Sequence, residues 1–272
     1  MLRKAACAAL MMATSWPALS QTIDWTAFFR GALSTDRKVQ DAAREKALGD
    51  TIPKLCHEDG KLAAAEIPGL LTQFEQPSDA IRTQVSAVLF VIARFRADGS
   101  VVLGPAVPAL IRHANDPVEQ TRENCVNALA EMKPEIAAAA MPIFVAISDA
   151  PNSGTTPGAI LGLARMSGSS AAAEDALDNA LTQNISTDRK IIAIRAMTGT
   201  NVIKPRLLRR LGESLSNEDR AVQRAALRAM ASLGGAAIAL NREAIARFRQ
   251  TSTDAELSAL AQQLLAQGPS ER

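Results

Sequence analysis

Between residues 76 and 95 the chain reads QPSDAIRTQVSAVLFVIARF, with Ile81, Val85, Val88, Leu89 and Ile92 spaced i, i+4, i+7, i+8 and i+11. That spacing puts all five on one face of an α-helix, whereas a half-buried strand would alternate every second residue. Ser78 or Asp79 stands where a side-chain oxygen can accept from a free N–H of the first turn. The pattern recurs as Cys125, Ala128, Leu129 and Met132 after Thr121, and as Val222, Ala226, Ala229, Met230 and Leu233 after Asp219. Amphipathic helices separated by polar turns are therefore expected throughout, with almost no strand.

The helices repeat. NALAEM (127–132), LGLARM (161–166), IAIRAM (192–197) and AALRAM (225–230) end in methionines 34, 31 and 33 residues apart. A second signal is the proline in IPGLL (67–71), VPALI (107–111), MPIFV (141–145) and KPRLL (204–208). Each proline is expected in the first turn of a leucine- or isoleucine-rich helix, where its missing N–H would have had no partner. The 63-residue gap from Pro142 to Pro205 holds two repeats, the skipped unit being AAAEDALDNAL (171–181). Self-similarity at this period marks stacked helical hairpins, because one hairpin cannot bury its apolar face alone.

The chain resembles the HEAT-repeat family. The resemblance rests on proline two residues before leucine or isoleucine in the first helix and an Asp-x-x-Val/Ile-Arg start to the second. Asp79, Ile81 and Arg82 follow that start with one residue fewer, and Asp36, Val39 and Gln40 keep the spacing without the arginine. The resemblance implies an all-α fold, an alpha-alpha superhelix of about seven helix pairs over residues 24–266, with second helices on the concave side. DWTAFFRGAL (24–33) and ELSALAQQLLAQ (256–267) would be its caps. The fourth unit departs most: its turn, SDAPNSGTTPG (148–158), is long, its second helix is expected to be short, and local stacking is expected to suffer.

The N-terminus sits outside this pattern. MLRK is a short basic start, AACAALMMATSWPAL is apolar but too short to span a bilayer, and Ala18-Leu19-Ser20 offers small residues for cleavage before Gln21. Residues 1–20 read as a secretory signal peptide and 21–272 as the solenoid domain, exported to the periplasm or beyond. No later segment reads as a transmembrane helix. Loss of Arg3 and Lys4 brings the 30 basic residues to 28, equal to the 28 acidic ones, so the mature chain is expected to carry no net charge. Cys56 and Cys125 remain, about two repeats apart, a separation that stacking does not readily bring within the ~7 Å a disulfide requires.

Hydrophobic residues make up 47% of the chain but aromatics only 3%, with no tyrosine, which suits closely stacked aliphatic helices and leaves little for a catalytic groove. The two histidines, His57 and His113, lie far apart, and neither a glycine-rich phosphate loop nor a nucleophile elbow is present. CHEDG (56–60) gathers metal-ligating residue types, but adjacent residues diverge on a helix and the spacing is not that of a zinc site, so a solvated loop is expected. His113 closes a helix and is expected to interact with its C-terminus. Cys125 takes the place of Val85 and Ala226, a buried small hydrophobe.

Charge is uneven. Residues 186–250 hold 13 basic and 5 acidic residues, against 14 and 20 over 21–185. Arg220, Arg224 and Arg228 form an i, i+4, i+8 stripe, with Arg195 on the preceding second helix. Such a stripe is either a solvated face whose arginine stems cover alanine-rich helices, or an anion-binding surface. The leading functional reading is a non-enzymatic extracytoplasmic scaffold that binds an unidentified protein partner, without cofactor, metal or nucleic acid. The alternative is a HEAT-like enzyme of lyase type, since bilin lyases and alkylpurine DNA glycosylases use such folds, or a binder of anionic ligands through the 186–250 block.

Overall fold

The computed structural model describes residues 23–57, 60–150, 154–182, 186–200 and 203–267. Among the described residues the regular structure is entirely helical. The proposed leader, 1–20, lies outside them, as do Glu58 and Asp59 of the CHEDG stretch and residues 151–153 of the fourth turn.

The helices are α1 (Trp25–Ala32), α2 (Arg37–Lys46), α3 (Ile52–His57), α4 (Gly60–Phe74), α5 (Asp79–Phe95), α6 (Gly99–Val102), α7 (Val107–His113), α8 (Glu119–Glu131) and α9 (Met141–Asp149). They continue as α10 (Thr156–Met166), α11 (Ala171–Leu181), α12 (Thr187–Met197), α13 (Pro205–Glu213), α14 (Arg220–Leu233), α15 (Gly235–Leu240), α16 (Arg242–Thr251) and α17 (Ala255–Gln267). A π-helical turn, Ala47–Thr51, joins α2 to α3 into one interrupted helix. Counting that as one, seven hairpins follow among the described residues, α1/α2–α3, α4/α5, α7/α8, α9/α10, α11/α12, α13/α14 and α16/α17, with α6 and α15 in connections. Each second helix packs on the next, in the order α3, α5, α8, α10, α12, α14, α17. The molecule is a helical-repeat superhelix.

The repeated apolar positions are its interior. Val85, Leu89, Ile92, Cys125, Leu129, Met132, Val222, Ala226 and Met230 are all buried. The core divides at α10, where Ala159, Leu163 and Met166 join the N-terminal cluster while Ile160 and Ala164 join the C-terminal one. Helix α11 does the same, with Ala173 and Ala176 in the first cluster and Leu177, Ala180 and Leu181 in the second, so two helices cement the halves. The first unit is held by Glu66 of α4, a buried carboxylate that accepts from Trp25 Nε1 at 2.9 Å and Ile23 N at 3.0 Å.

Two expectations are corrected. Pro68 does not open its helix; it stands inside α4, unlike Pro108, Pro142 and Pro205, which occupy first turns. Residues before it, in GKLAAAE, are themselves helix formers and extend the helix backwards. In the fourth unit the second helix is short, as expected, α10 having 11 residues against 17 in α5 and 13 in α8, but stacking does not suffer, since α10 packs on both α8 and α12. Its close approach to α9 depends on Gly162, where a Cβ would come within 2.5 Å of the Phe144 ring.

The Asp–Arg signature holds the turns. Arg82 Nη1 donates to Gln76 O at 3.3 Å and Pro77 O at 2.9 Å, and one repeat later Arg122 Nη1 donates to Asp116 O at 2.7 Å and Pro117 O at 2.9 Å. Gln223 does the same for Asn217 O at 2.6 Å. Arg82 also reaches the next unit, with Nε 2.7 Å from Asp116 Oδ2. Asp116 further accepts from Val118 N at 2.9 Å and His113 Nδ1 at 3.1 Å. His113 therefore answers a carboxylate and stacks on Phe74, ring centroids 3.9 Å apart, instead of interacting with the helix terminus alone. Burial pushes the Asp116 carboxyl up, but Arg82, the Val118 N–H and His113 outweigh it and hold it at about 2.

Candidate functional site

The four arginines singled out in the sequence part company. Arg220 pairs with Asp254, and its Nη2 lies 2.8 Å from Glu256 Oε2; Arg224 Nη2 lies 3.0 Å from the same oxygen. Both are therefore matched by the start of α17. The Leu257 N–H, and to a lesser degree Arg220, hold the Asp254 carboxyl below its ordinary value. Arg195 on α12 and Arg228 on α14 are exposed and have no ion-pair partner among the described residues.

Two first-helix arginines of the basic block, Arg206 and Arg210, are engaged as well. Asp178 of α11 is buried between Arg206 Nη2 at 2.7 Å and Arg210 Nε at 2.6 Å of α13. Arg210, then Arg206, overcome desolvation and keep its carboxyl below the usual range. Much of the surplus positive charge counted over 186–250 is thus used to join one unit to the next.

A groove lies elsewhere, at the C-terminal ends of successive second helices. It measures about 710 Å³ and runs from Arg94 of α5 past Glu131, Lys133 and Arg165 to Gly199 and Thr200 beyond α12. Its size falls within the range of ligand sites, roughly 300–1,000 Å³. Glu131 organises it. One carboxylate oxygen meets Arg94 Nη1 at 2.8 Å and the other meets Arg165 Nη1 at 2.8 Å. Arg165 Nη1 also donates to Ala130 O at 2.5 Å, which fixes the guanidinium against the end of α8. One carboxylate between two guanidiniums leaves charge and donors over.

With Thr83 Oγ1 set 2.9 Å from Thr121 Oγ1, α5 ends at Phe95 and α8 at Glu131, so α5 overhangs its neighbour by about half a turn. Ser100, after that overhang, accepts from Lys133 N at 2.8 Å and fixes the floor. Arg96 is structural: it pairs with Asp98 and its Nη1 donates to Leu55 O at 2.9 Å. Lys133 is exposed and has no ion-pair partner among the described residues.

Net charge over long blocks concealed this place, since residues 21–185 are acidic in sum. The signal was the residue before the repeated methionine: Glu131 in NALAEM and Arg165 in LGLARM, opposite charges on adjacent units. Arg94 carried no such mark, because its partner Glu131 lies 37 residues away and only stacking brings the two together.

Both cysteines are buried and not joined to each other. Burial pushes the Cys125 thiol far up, and the Cys56 thiol up against the opposing charge of Arg96, so neither is a ready thiolate. Among the described residues no three metal-ligating side chains come together, and no helix is long and apolar enough to cross a membrane.

No family model matches the chain, and no curated protein matches it. Solved structures do resemble it. The crystal structure of an engineered protein aligns with a TM-score of 0.53 at 19% identity, covering 89% of this chain and 67% of its own. A second engineered protein aligns with a TM-score of 0.42 at 19% identity, covering 90% and 96%. The complex of CpcE and CpcF of phycocyanin lyase from Nostoc sp. PCC7120 gives 0.46 at 17% identity, covering 94% and 98%. The first of these supports the shared fold. At these identities none bears on activity.

Proposed function

We propose that the chain is a non-enzymatic scaffold that binds a protein partner on the face formed by its second helices, in the periplasm or outside the cell. The observation that supports it is the unbroken series α3, α5, α8, α10, α12, α14 and α17, which presents one continuous surface across all seven units. A solenoid of this kind grips partners along an extended face and needs no enclosed pocket. On that face Arg165, Arg195 and Arg228 come from three adjacent second helices, one or two residues before the repeated methionine. Few imidazoles, buried thiols with raised pKa values and an inner face poor in aromatics give little purchase for catalysis. The leader-like first twenty residues support export.

The test is affinity capture from the native envelope fraction with the chain beginning at Gln21, compared with an Arg195→Glu/Arg228→Glu variant. A defined protein that is retained by the parent at low salt, released from it as salt is raised, and lost by the variant is the expected result. A bound chromophore or turnover of a small substrate would replace this reading with the enzymatic one.

A further inference from the structure

We propose that the groove bounded by α5, α8, α10 and α12 receives an acidic, partly apolar peptide segment of the protein partner; this rests on the scaffold reading and names what the partner offers. The lining holds Arg94, Arg96, Lys133 and Arg165 against Glu131 and Glu135. Arg96 is occupied by Asp98 and Leu55 O. Arg94 and Arg165 share Glu131 and keep guanidinium N–H groups to spare, and Lys133 stands exposed beside them. A carboxylate entering between them finds the Arg94 and Arg165 donors already held by Glu131, so little of their side-chain freedom is lost on binding.

The rim is independent of the charges and points the same way. Phe95 is 61% exposed and Val101 63%, two of the four large hydrophobic side chains left exposed among the described residues. Phe95 lies between the lining residues Arg94 and Arg96, and Val101 follows the lining residue Ser100. Arg94 sits 5.9 Å from the Phe95 ring centre, so the apolar and the cationic parts form one surface. An apolar residue next to a carboxylate would cover Phe95 while the acid reaches Arg94.

The mixed lining selects against other anions. A polyphosphate or nucleic-acid backbone, charged at every link, would be pressed against Glu131 and Glu135. A peptide can place carboxylates where the cations stand and amide groups where the carboxylates stand.

The test is fluorescence anisotropy with a short labelled peptide of glutamate, aspartate and leucine, beside its glutamine/asparagine analogue, inorganic polyphosphate and phosphatidylglycerol vesicles. The acidic peptide is expected to bind saturably, to weaken with salt, and to lose at least about tenfold in affinity in Lys133→Glu and in Arg94→Glu. Arg94→Gln and Phe95→Ala, which change only exposed atoms, should lose several-fold with unchanged circular dichroism. Equal binding of the amide analogue, preference for polyphosphate or vesicles, or indifference to all four variants would each overturn the assignment. Capture separates it from the scaffold reading. A partner lost in Arg195→Glu/Arg228→Glu but kept in Lys133→Glu and Arg94→Glu removes the groove and leaves the scaffold. Peptide binding with no captured partner does the reverse.

Discussion

At Asp116 three hydrogen-bond donors from two units converge on one buried carboxylate, and removing it would leave the Arg82 guanidinium buried with only Asp79 and turn carbonyls as partners. Asp116→Ala is expected to cost roughly 3–5 kcal/mol, the usual consequence of orphaning a buried charge, measurable by urea denaturation. The pH sign follows from the lowered pKa. The ordinary value is 3.8 and the folded one about 2, so the contribution is complete above about pH 4 and is lost as pH falls through 2. The parent should lose stability over that interval faster than the alanine variant does. Gly162 is the other single position on which packing turns. Gly162→Ala drives a methyl to within 2.5 Å of the buried Phe144 ring and should destabilise by about 1–3 kcal/mol; an unchanged melting temperature would show that α9 and α10 can move apart freely. The sequence displayed the Asp–Arg spacing but not its partner, because Arg82 and Asp116 lie 34 residues apart and only stacking brings them together.

Whole elements differ in how much their sequence explains. In α14 the cap at Asp219, the apolar face and the stop at Gly234, with φ of 78°, agree with one another and with the observed helix. In α4 the local rule misleads, since Pro68 sits in the interior with no N–H to donate. Its ring is exposed and packs little, so Pro68→Ala should restore a backbone hydrogen bond and stabilise the protein by about 1–3 kcal/mol. A lower melting temperature for that variant would mean Pro68 is required for docking Trp25 against Gly69, where a Cβ would lie 2.9 Å from the indole. Helix α2 buries no residue, and its amides are expected to exchange with deuterium fastest of the helices, while those of α8, α10 and α12 exchange slowest. The polar composition of α2 could be read directly from the sequence; that its continuation α3 nonetheless reaches the core through Leu55 and Cys56 could not.

For the whole molecule, export makes a direct claim on the polypeptide: N-terminal sequencing of protein recovered from the envelope should begin at or near Gln21, and a start at Met1 in the cytoplasm would remove that part of the proposal. The period of the methionines and the 3.6-residue spacing of apolar side chains were sufficient to determine an all-helical stack of seven pairs, because each hairpin needs a neighbour to cover the same face and the chain supplies that face again and again. The fate of the charges was decided only by tertiary structure. Arg220 and Arg224 look as available along the chain as Arg195 and Arg228, yet the next hairpin sets Asp254 and Glu256 beside the first two and nothing described beside the others. The groove is decided in the same way, by Glu131 standing between Arg94 and Arg165. Burial of an apolar face depends on local periodicity, which sequence carries. Pairing of a charge depends on which side chain the superhelix places within a few ångströms, which sequence distance does not reveal.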